Sequence, residues 1–193
     1  MQTITKAYET YDTAREAVNE LEAAGIPMAS ISVLANRETG ESQFDVDDTT
    51  EAGTGASVGA VVGGAAGLLT GLGLLAIPGV GPVFAAGWLT TTAMGAVAGG
   101  AAGGILGSLI DVGVPEDHAH VYSEAVRRGG TLVSVQAGDH NVAEVRTILG
   151  KFMPLDPVAQ GLAYRKTGWN KFDPAGAPYV SARGPAGGER RVM

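Results

Sequence analysis

Apolar and polar positions in the first part of the chain follow the periods of a strand, a helix and a second strand. Thr3–Tyr8 and Ile31–Ala35 have the length and composition of short strands. Between them, Thr13-x-x-Glu16 fits a capping box and is followed by apolar residues on one helical face. Gly25 is a typical helix end. This part of the chain therefore predicts a β-α-β unit.

The pattern returns after residue 110. Pro115, followed by two acidic residues, is a typical helix start, and the alternation over Thr131–Ala137 predicts a strand. Asn141-x-x-Glu144 then opens a helix with one apolar stripe. Each half is too small to bury a core alone. We therefore expect an α+β protein in which β-α-β and α-β-α halves join into a small three-stranded α/β sandwich, ferredoxin-like in spirit.

The segment between the halves contains no Asp, Glu, Lys, Arg or His over the 59 positions from Ala52 to Ile110. Glycine recurs at every fourth position from Gly55 to Gly71 and, after a Pro-Gly break, from Gly87 to Gly107, with Thr91 at the one missing position. This spacing places small residues on one helix face and lets another helix approach closely. The spacing predicts a glycine-zipper helical hairpin with arms over Gly53–Ala76 and Val83–Ile110. Its turn contains Pro78, Gly79, Gly81 and Pro82. The predicted packing and oligomerisation positions are Gly55, Gly59, Gly63, Gly67, Gly71, Gly87, Gly95, Gly99, Gly103 and Gly107.

These patterns divide the chain into four parts. Residues 1–51 form the first half of the α/β domain and an acidic loop, and residues 52–110 form the hairpin. Residues 111–153 complete the domain, and residues 154–193 form an extended arm rich in Gly and Pro. Trp169, Phe172 and Tyr179 in this arm are candidates for docking on the chain's own domain or on a partner, and a disordered arm is the alternative.

Composition excludes several classes of function. The chain has no cysteine, which removes disulfides and thiolate chemistry, and its net charge of −7 argues against nucleic acid. The N-terminus has no basic region followed by an apolar run, so we expect the cytoplasm or the cytoplasmic face of the inner membrane.

No motif predicts catalysis, a metal or a cofactor. Gly71-x-Gly73-x-x-Ala76 fits a loose dinucleotide pattern but lies late in a uniform apolar run, so we interpret it as coincidence. His118 and His120 are two positions apart and do not share a helix face. The acidic residues from Asp45 to Glu51 lack the spacing of a calcium loop. We expect a protein that is not an enzyme and that has no evident small-molecule substrate.

The order of parts resembles the bacterial general stress protein domain of the YflT type, also described as heat- or low-temperature-induced proteins. The resemblance covers about residues 3–150 and rests on three short sequence segments. These are Glu20-Leu-Glu-Ala-Ala-Gly25, Val114-Pro-Glu-Asp117 with Tyr122, and Arg128-Gly-Gly-Thr-Leu-Val-Ser-Val135. It implies expression under stress and no established enzyme activity.

Three functions fit these features. The first is a non-enzymatic, stress-associated protein that homo-oligomerises through zipper hairpins in or on the cytoplasmic membrane, because each arm exceeds the roughly 20 residues that cross a bilayer. The second is a soluble ring, shell or filament in which the C-terminal arm clasps a neighbouring subunit. The third is a pore lined by zipper helices. The expected partners are further copies of the same chain and membrane lipid, and we expect no binding to nucleic acid.

Overall fold

The computed structural model describes residues 1–36, 73–77, 80–89 and 104–176. These residues form five strands, five α-helices and one short 3-10 helix, Met28–Ser30. The strands are β1 (Gln2–Tyr8), β2 (Ile31–Asn36), β3 (Gly73–Ile77), β4 (Gly81–Ala86) and β5 (Thr131–Ala137). The helices are α1 (Tyr11–Ala23), α2 (Gly104–Asp111), α3 (Glu116–Arg127), α4 (Val142–Lys151) and α5 (Pro157–Lys166).

The five strands form one sheet in the order β1-β5-β2-β4-β3, with antiparallel pairing throughout. Strand β5 lies between β1 and β2, so β1-α1-β2 is a split β-α-β unit that the second half of the chain completes. The mixed α+β class predicted from the sequence is confirmed. The prediction of three strands is wrong, because the sheet extends beyond β2 by two further strands.

The two additional strands replace part of the predicted helical hairpin. β3 and β4 pair antiparallel, with Ile77 opposite Gly81, and β4 pairs with β2, where Val33 lies opposite Ala86. The chain reverses where the sequence predicted a turn, but between strands rather than helices, and Gly81 and Pro82 belong to β4. The free side of β2 explains the difference, because its backbone groups require hydrogen-bond partners when they are buried.

Helices cover both faces of the sheet. Val33 and Val133 belong to the core under α1 and α4, whereas their neighbours Leu34 and Leu132 belong to the core under α2 and α3. Successive strand residues point to opposite faces. All six residues of β2 are buried, which is why that strand has a continuous apolar character rather than a strict alternation.

Two predicted boundaries also change. Helix α1 begins at Tyr11, three residues after β1 ends, because Thr10 rather than Thr13 is the N-cap and its hydroxyl accepts a hydrogen bond from the Thr13 amide at 3.3 Å. The predicted extended arm from residue 154 is wrong over Pro157–Lys166, which form α5. Asp156 caps this helix by accepting from the Ala159 amide at 2.8 Å, and Pro157 occupies its first turn.

The five α-helices of the described part of the chain are 8 to 13 residues long. Within residues 1–36, 73–77, 80–89 and 104–176, none of them combines the length and apolar character that crossing a bilayer requires.

Candidate functional site

The most organised group of polar and aromatic side chains lies between α3 and α5. We call it the α3–α5 cluster, and it consists of Glu124, Arg127, Arg128, Tyr164 and Trp169. The Glu124 side chain is fully buried, with 0 % exposure. Arg127 donates to both of its carboxylate oxygens, at 2.8 and 2.7 Å, and Arg128 donates at 2.6 Å. Glu124 is therefore a buried carboxylate paired with two arginines at the end of α3.

The aromatic part of the cluster attaches α5 to this ion pair. The Arg128 guanidinium lies 4.3 Å from the centre of the Tyr164 ring, and the Trp169 ring meets Tyr164 edge to face at 5.5 Å. Burial raises the pKa of Tyr164, and the Gln160 side chain and Arg128 oppose that rise. The cluster contains no nucleophile or free general base. Its contacts hold α5 in a fixed position on α3.

Neutralising Glu124 tests how much the cluster contributes to stability. We expect Glu124→Gln to lower the free energy of unfolding by about 2–3 kcal/mol, because the amide leaves two partly buried arginines without their carboxylate. The matched control is Glu116→Gln on the same helix, where the Glu116 side chain is 75 % exposed. The control should change stability by less than about 0.5 kcal/mol in urea unfolding. Equal effects of the two substitutions would show that the buried ion pair contributes nothing specific.

The structure describes only part of the predicted glycine-zipper positions. Gly87 follows β4 with a left-handed φ of +92°, so it does not lie on a helix face as predicted. Gly107 lies within α2, where an added Cβ would meet nothing within 4 Å. The remaining predicted positions fall outside the described residues: Gly55, Gly59, Gly63, Gly67, Gly71, Gly95, Gly99 and Gly103, together with Pro78 and Gly79 of the turn.

Of the three aromatic docking candidates in the predicted arm, the structure describes two. Phe172 is buried in the core that α2 and α3 form with the sheet, and Trp169 packs on Val121 and Tyr164. The Leu155 amide donates to the Ala7 carbonyl at 2.7 Å, which ties the start of this region to β1. Both aromatics therefore lie against the chain's own domain, whereas Tyr179 falls outside the described residues.

Neither of the histidines considered at α3 takes part in a group of ligands. His120 Nε2 is 3.8 Å from a Glu116 carboxylate oxygen, and the His118 ring lies 6.5 Å from the Tyr122 ring. Across the described residues there is no group of three or more His, Asp or Glu side chains that could hold a metal ion. The acidic residues from Asp45 to Glu51 lie outside those residues.

A shallow groove runs between α1 and α4. Its volume is about 560 Å³, and Ala24, Ala143 and Ile148 contribute apolar surface to it. An ion pair between Lys151 and Glu20 connects its two sides. The groove residues include no histidine and no activated hydroxyl, so the groove supports no catalytic assignment.

Sequence reasoning missed Glu124 and α5, although signals for both were present. Glu124 stands three and four positions before Arg127 and Arg128, the spacing of helical ion pairs. Asp156-Pro157 is a typical N-cap followed by a first-turn proline, and Arg165-Lys166 precede Gly168 as in a helix end.

Comparison with known proteins identifies one family. The model of the heat induced stress protein YflT domain matches residues 3–76. Neither the curated proteins nor the solved structures contain a significant match. The matched segment includes β1, α1 and β2 and reaches into β3, whereas β5, which separates β1 from β2 in the sheet, follows it in the chain. The heat induced stress protein YflT domain is therefore the family that residues 3–76 match, and the resemblance inferred from the sequence is confirmed over that segment.

Proposed function

We propose that this chain is a non-enzymatic, stress-associated protein that assembles into homo-oligomers through its glycine-repeat segments. The match to a heat induced stress protein domain supports the association with stress. The α3–α5 cluster and the α1–α4 groove offer no catalytic chemistry, which favours a structural role over an enzymatic one.

The observation that carries the proposal is the β3–β4 hairpin in the middle of the uncharged segment. Since Val83 and Ala85 are buried within the sheet, this part of the segment belongs to the folded domain. Residues 52–72 and 90–103 flank it, carry no charge and retain glycines at intervals of four. Small residues at this spacing permit close helix packing, and each glycine costs an isolated helix about 1 kcal/mol relative to alanine. Contacts between copies would offset that cost.

The β3–β4 hairpin also favours assembly in solution over insertion of the predicted two-helix anchor into a bilayer. The anchor would place the turn between its two arms at the far side of the bilayer, whereas β4, which begins at Gly81, pairs with β2 in the sheet of the domain. The soluble ring, shell or filament is thus the form of assembly that we propose.

The test of this proposal is the mass of the full chain in solution. We expect light scattering after gel filtration to show an oligomer, and the double substitution Gly63→Leu with Gly99→Leu to shift it at least twofold in mass towards the monomer, because two bulky side chains would block close packing. Gly150→Leu is the control, because an added Cβ at this exposed helical position meets nothing within 4 Å. An unchanged mass in the double variant, or an equal loss in the control, would contradict assembly through the glycine repeats.

A further inference from the structure

Large apolar side chains are exposed near the end of the described chain. Val158 and Leu162, both on α5, are 63 % and 55 % exposed, and Met153 in the preceding turn is also exposed. Together with Met1 and Ile110, these are the large apolar residues that the described part of the structure leaves in solvent. The end of the domain therefore presents an apolar surface on a helix that is itself firmly held.

The outward direction of this surface is fixed by the packing of α5. Gly161 and Tyr164 are its buried residues, and a Cβ added to Gly161 would lie 3.2 Å from Cγ2 of Val121 on α3. Val158 and Leu162 are four positions apart and therefore lie on a common face. Because Arg128 and Trp169 hold Tyr164 on the inner side, α5 cannot turn its exposed residues into the core without breaking the α3–α5 cluster.

The same face carries positive charge. Arg165 and Lys166 stand seven and eight positions after Val158, which places them along the same side of the helix, and both are exposed. Lys171, five residues beyond the end of α5, is also exposed, and the stretch from Pro157 to Phe172 contains no acidic residue, although Asp156 and Asp173 border it. We call the set Val158, Leu162, Arg165 and Lys166 the α5 face. It is a basic and apolar surface on a protein of net charge −7.

We propose that the α5 face binds the surface of an anionic lipid bilayer. The two exposed apolar side chains can enter the headgroup boundary while the two cations beside them contact lipid phosphates. A helix that docks in a protein groove requires a further apolar anchor at i+7. Here that position is Arg165, which favours lipid over a protein groove or a second copy.

The binding is peripheral, and it uses residues that the proposed self-assembly does not. Lipid contact and assembly therefore have separate tests, and either can fail while the other holds.

The experiment is flotation of the full chain with vesicles of phosphatidylcholine containing phosphatidylglycerol at about one third, against vesicles of phosphatidylcholine alone. We expect partitioning at least tenfold stronger on the anionic vesicles at ~0.1 M salt, and loss of most of it at ~0.5 M, because salt screens exposed charges. Equal partitioning on both vesicles, or none on either, would overturn the proposal.

Variants assign the binding to the α5 face. The double substitution Arg165→Gln with Lys166→Gln should weaken partitioning at least tenfold, because each cation near an anionic surface contributes about fivefold. The control, Arg15→Gln with Arg146→Gln, removes the same charge from exposed positions on α1 and α4 and should leave partitioning within about twofold. Val158→Ser with Leu162→Ser should weaken it by a similar factor without changing the oligomer mass measured without lipid. A drop in that mass would identify a second copy as the occupant and overturn the proposal, as would an equal loss in the charge control.

Discussion

Replacing Gly87 by alanine should lower the free energy of unfolding by about 3–5 kcal/mol. Gly87 follows β4 with a φ of +92°, a conformation that disfavours any side chain. An added Cβ would also lie 2.3 Å from the Ile31 carbonyl oxygen and 2.7 Å from the Ser32 Cα. Both are backbone atoms of β2, so relief requires moving β4 away from its partner strand. Urea unfolding measured by circular dichroism gives the change directly.

Gly113 provides a matched control, because its φ is also +92° while an added Cβ there would meet nothing within 4 Å. Gly113→Ala should lower the free energy of unfolding by only about 1–2 kcal/mol, because the left-handed backbone conformation is then the sole source of strain. The difference between the two variants isolates the close approach of the chain after β4 to β2. If the two alanines were equally destabilising, the placement of the hairpin against β2 would be wrong.

Alkaline unfolding is the second large expected effect. Burial raises the pKa of Tyr11 and of Tyr122 to about 12, and nearby Asp156 adds to the rise at Tyr122. Burial, together with Tyr122, also raises the pKa of Tyr8, whose hydroxyl donates to the Leu149 carbonyl at 2.9 Å. Three tyrosines that are neutral in the folded state thus link stability to pH.

The direction follows from the protons bound in each state. Below pH 10 the phenols are neutral in both states, and stability is unaffected by them. Between about pH 10 and pH 12 the unfolded chain releases protons that the folded chain retains, so each tyrosine lowers stability by about 1.4 kcal/mol per pH unit. Tyr11 and Tyr122 together remove about 5 kcal/mol by pH 12, which is comparable to the whole stability of a small domain.

We therefore expect phenolate absorbance at 295 nm and loss of helical circular dichroism to rise together in one cooperative step between about pH 11 and pH 12. Tyr122→Phe keeps the ring and removes one titrating group, and it should move the midpoint to higher pH. Gradual phenolate formation near pH 10 with unchanged circular dichroism would show that these tyrosines are accessible in the folded protein.

The ends of the fold were predictable because their patterns are local. Strand β5 was predicted over the residues that it occupies, Thr131–Ala137, and α3 was predicted from Pro115 and the acidic residues after it. Strands β1 and β2 differ from the prediction by one residue each. In these segments the apolar period, the caps and the turn residues agree, so one local structure is favoured.

The candidate site was less predictable. Glu124 is a charged residue between the buried residues Ser123 and Ala125 of α3, and its burial depends on α5 covering the side of α3 that faces away from the sheet. Helix α5 itself has apolar residues on two sides, Tyr164 inward and Leu162 outward, so it lacks the single stripe by which amphipathic helices are recognised.

By itself, the sequence determined the α+β class, the elements of both halves, the resemblance to the YflT domain and the uncharged glycine-repeat segment. Only the tertiary structure decided that β5 separates β1 from β2 and that residues 73–77 and 81–86 add two strands to the sheet. An uninterrupted apolar run satisfies a helix and a buried strand equally well. The strand is favoured here because the backbone groups on one side of β2 need hydrogen-bond partners, which β4 supplies. β2 lies some 40 residues or more away from β4 along the chain, so no local pattern reveals this pairing.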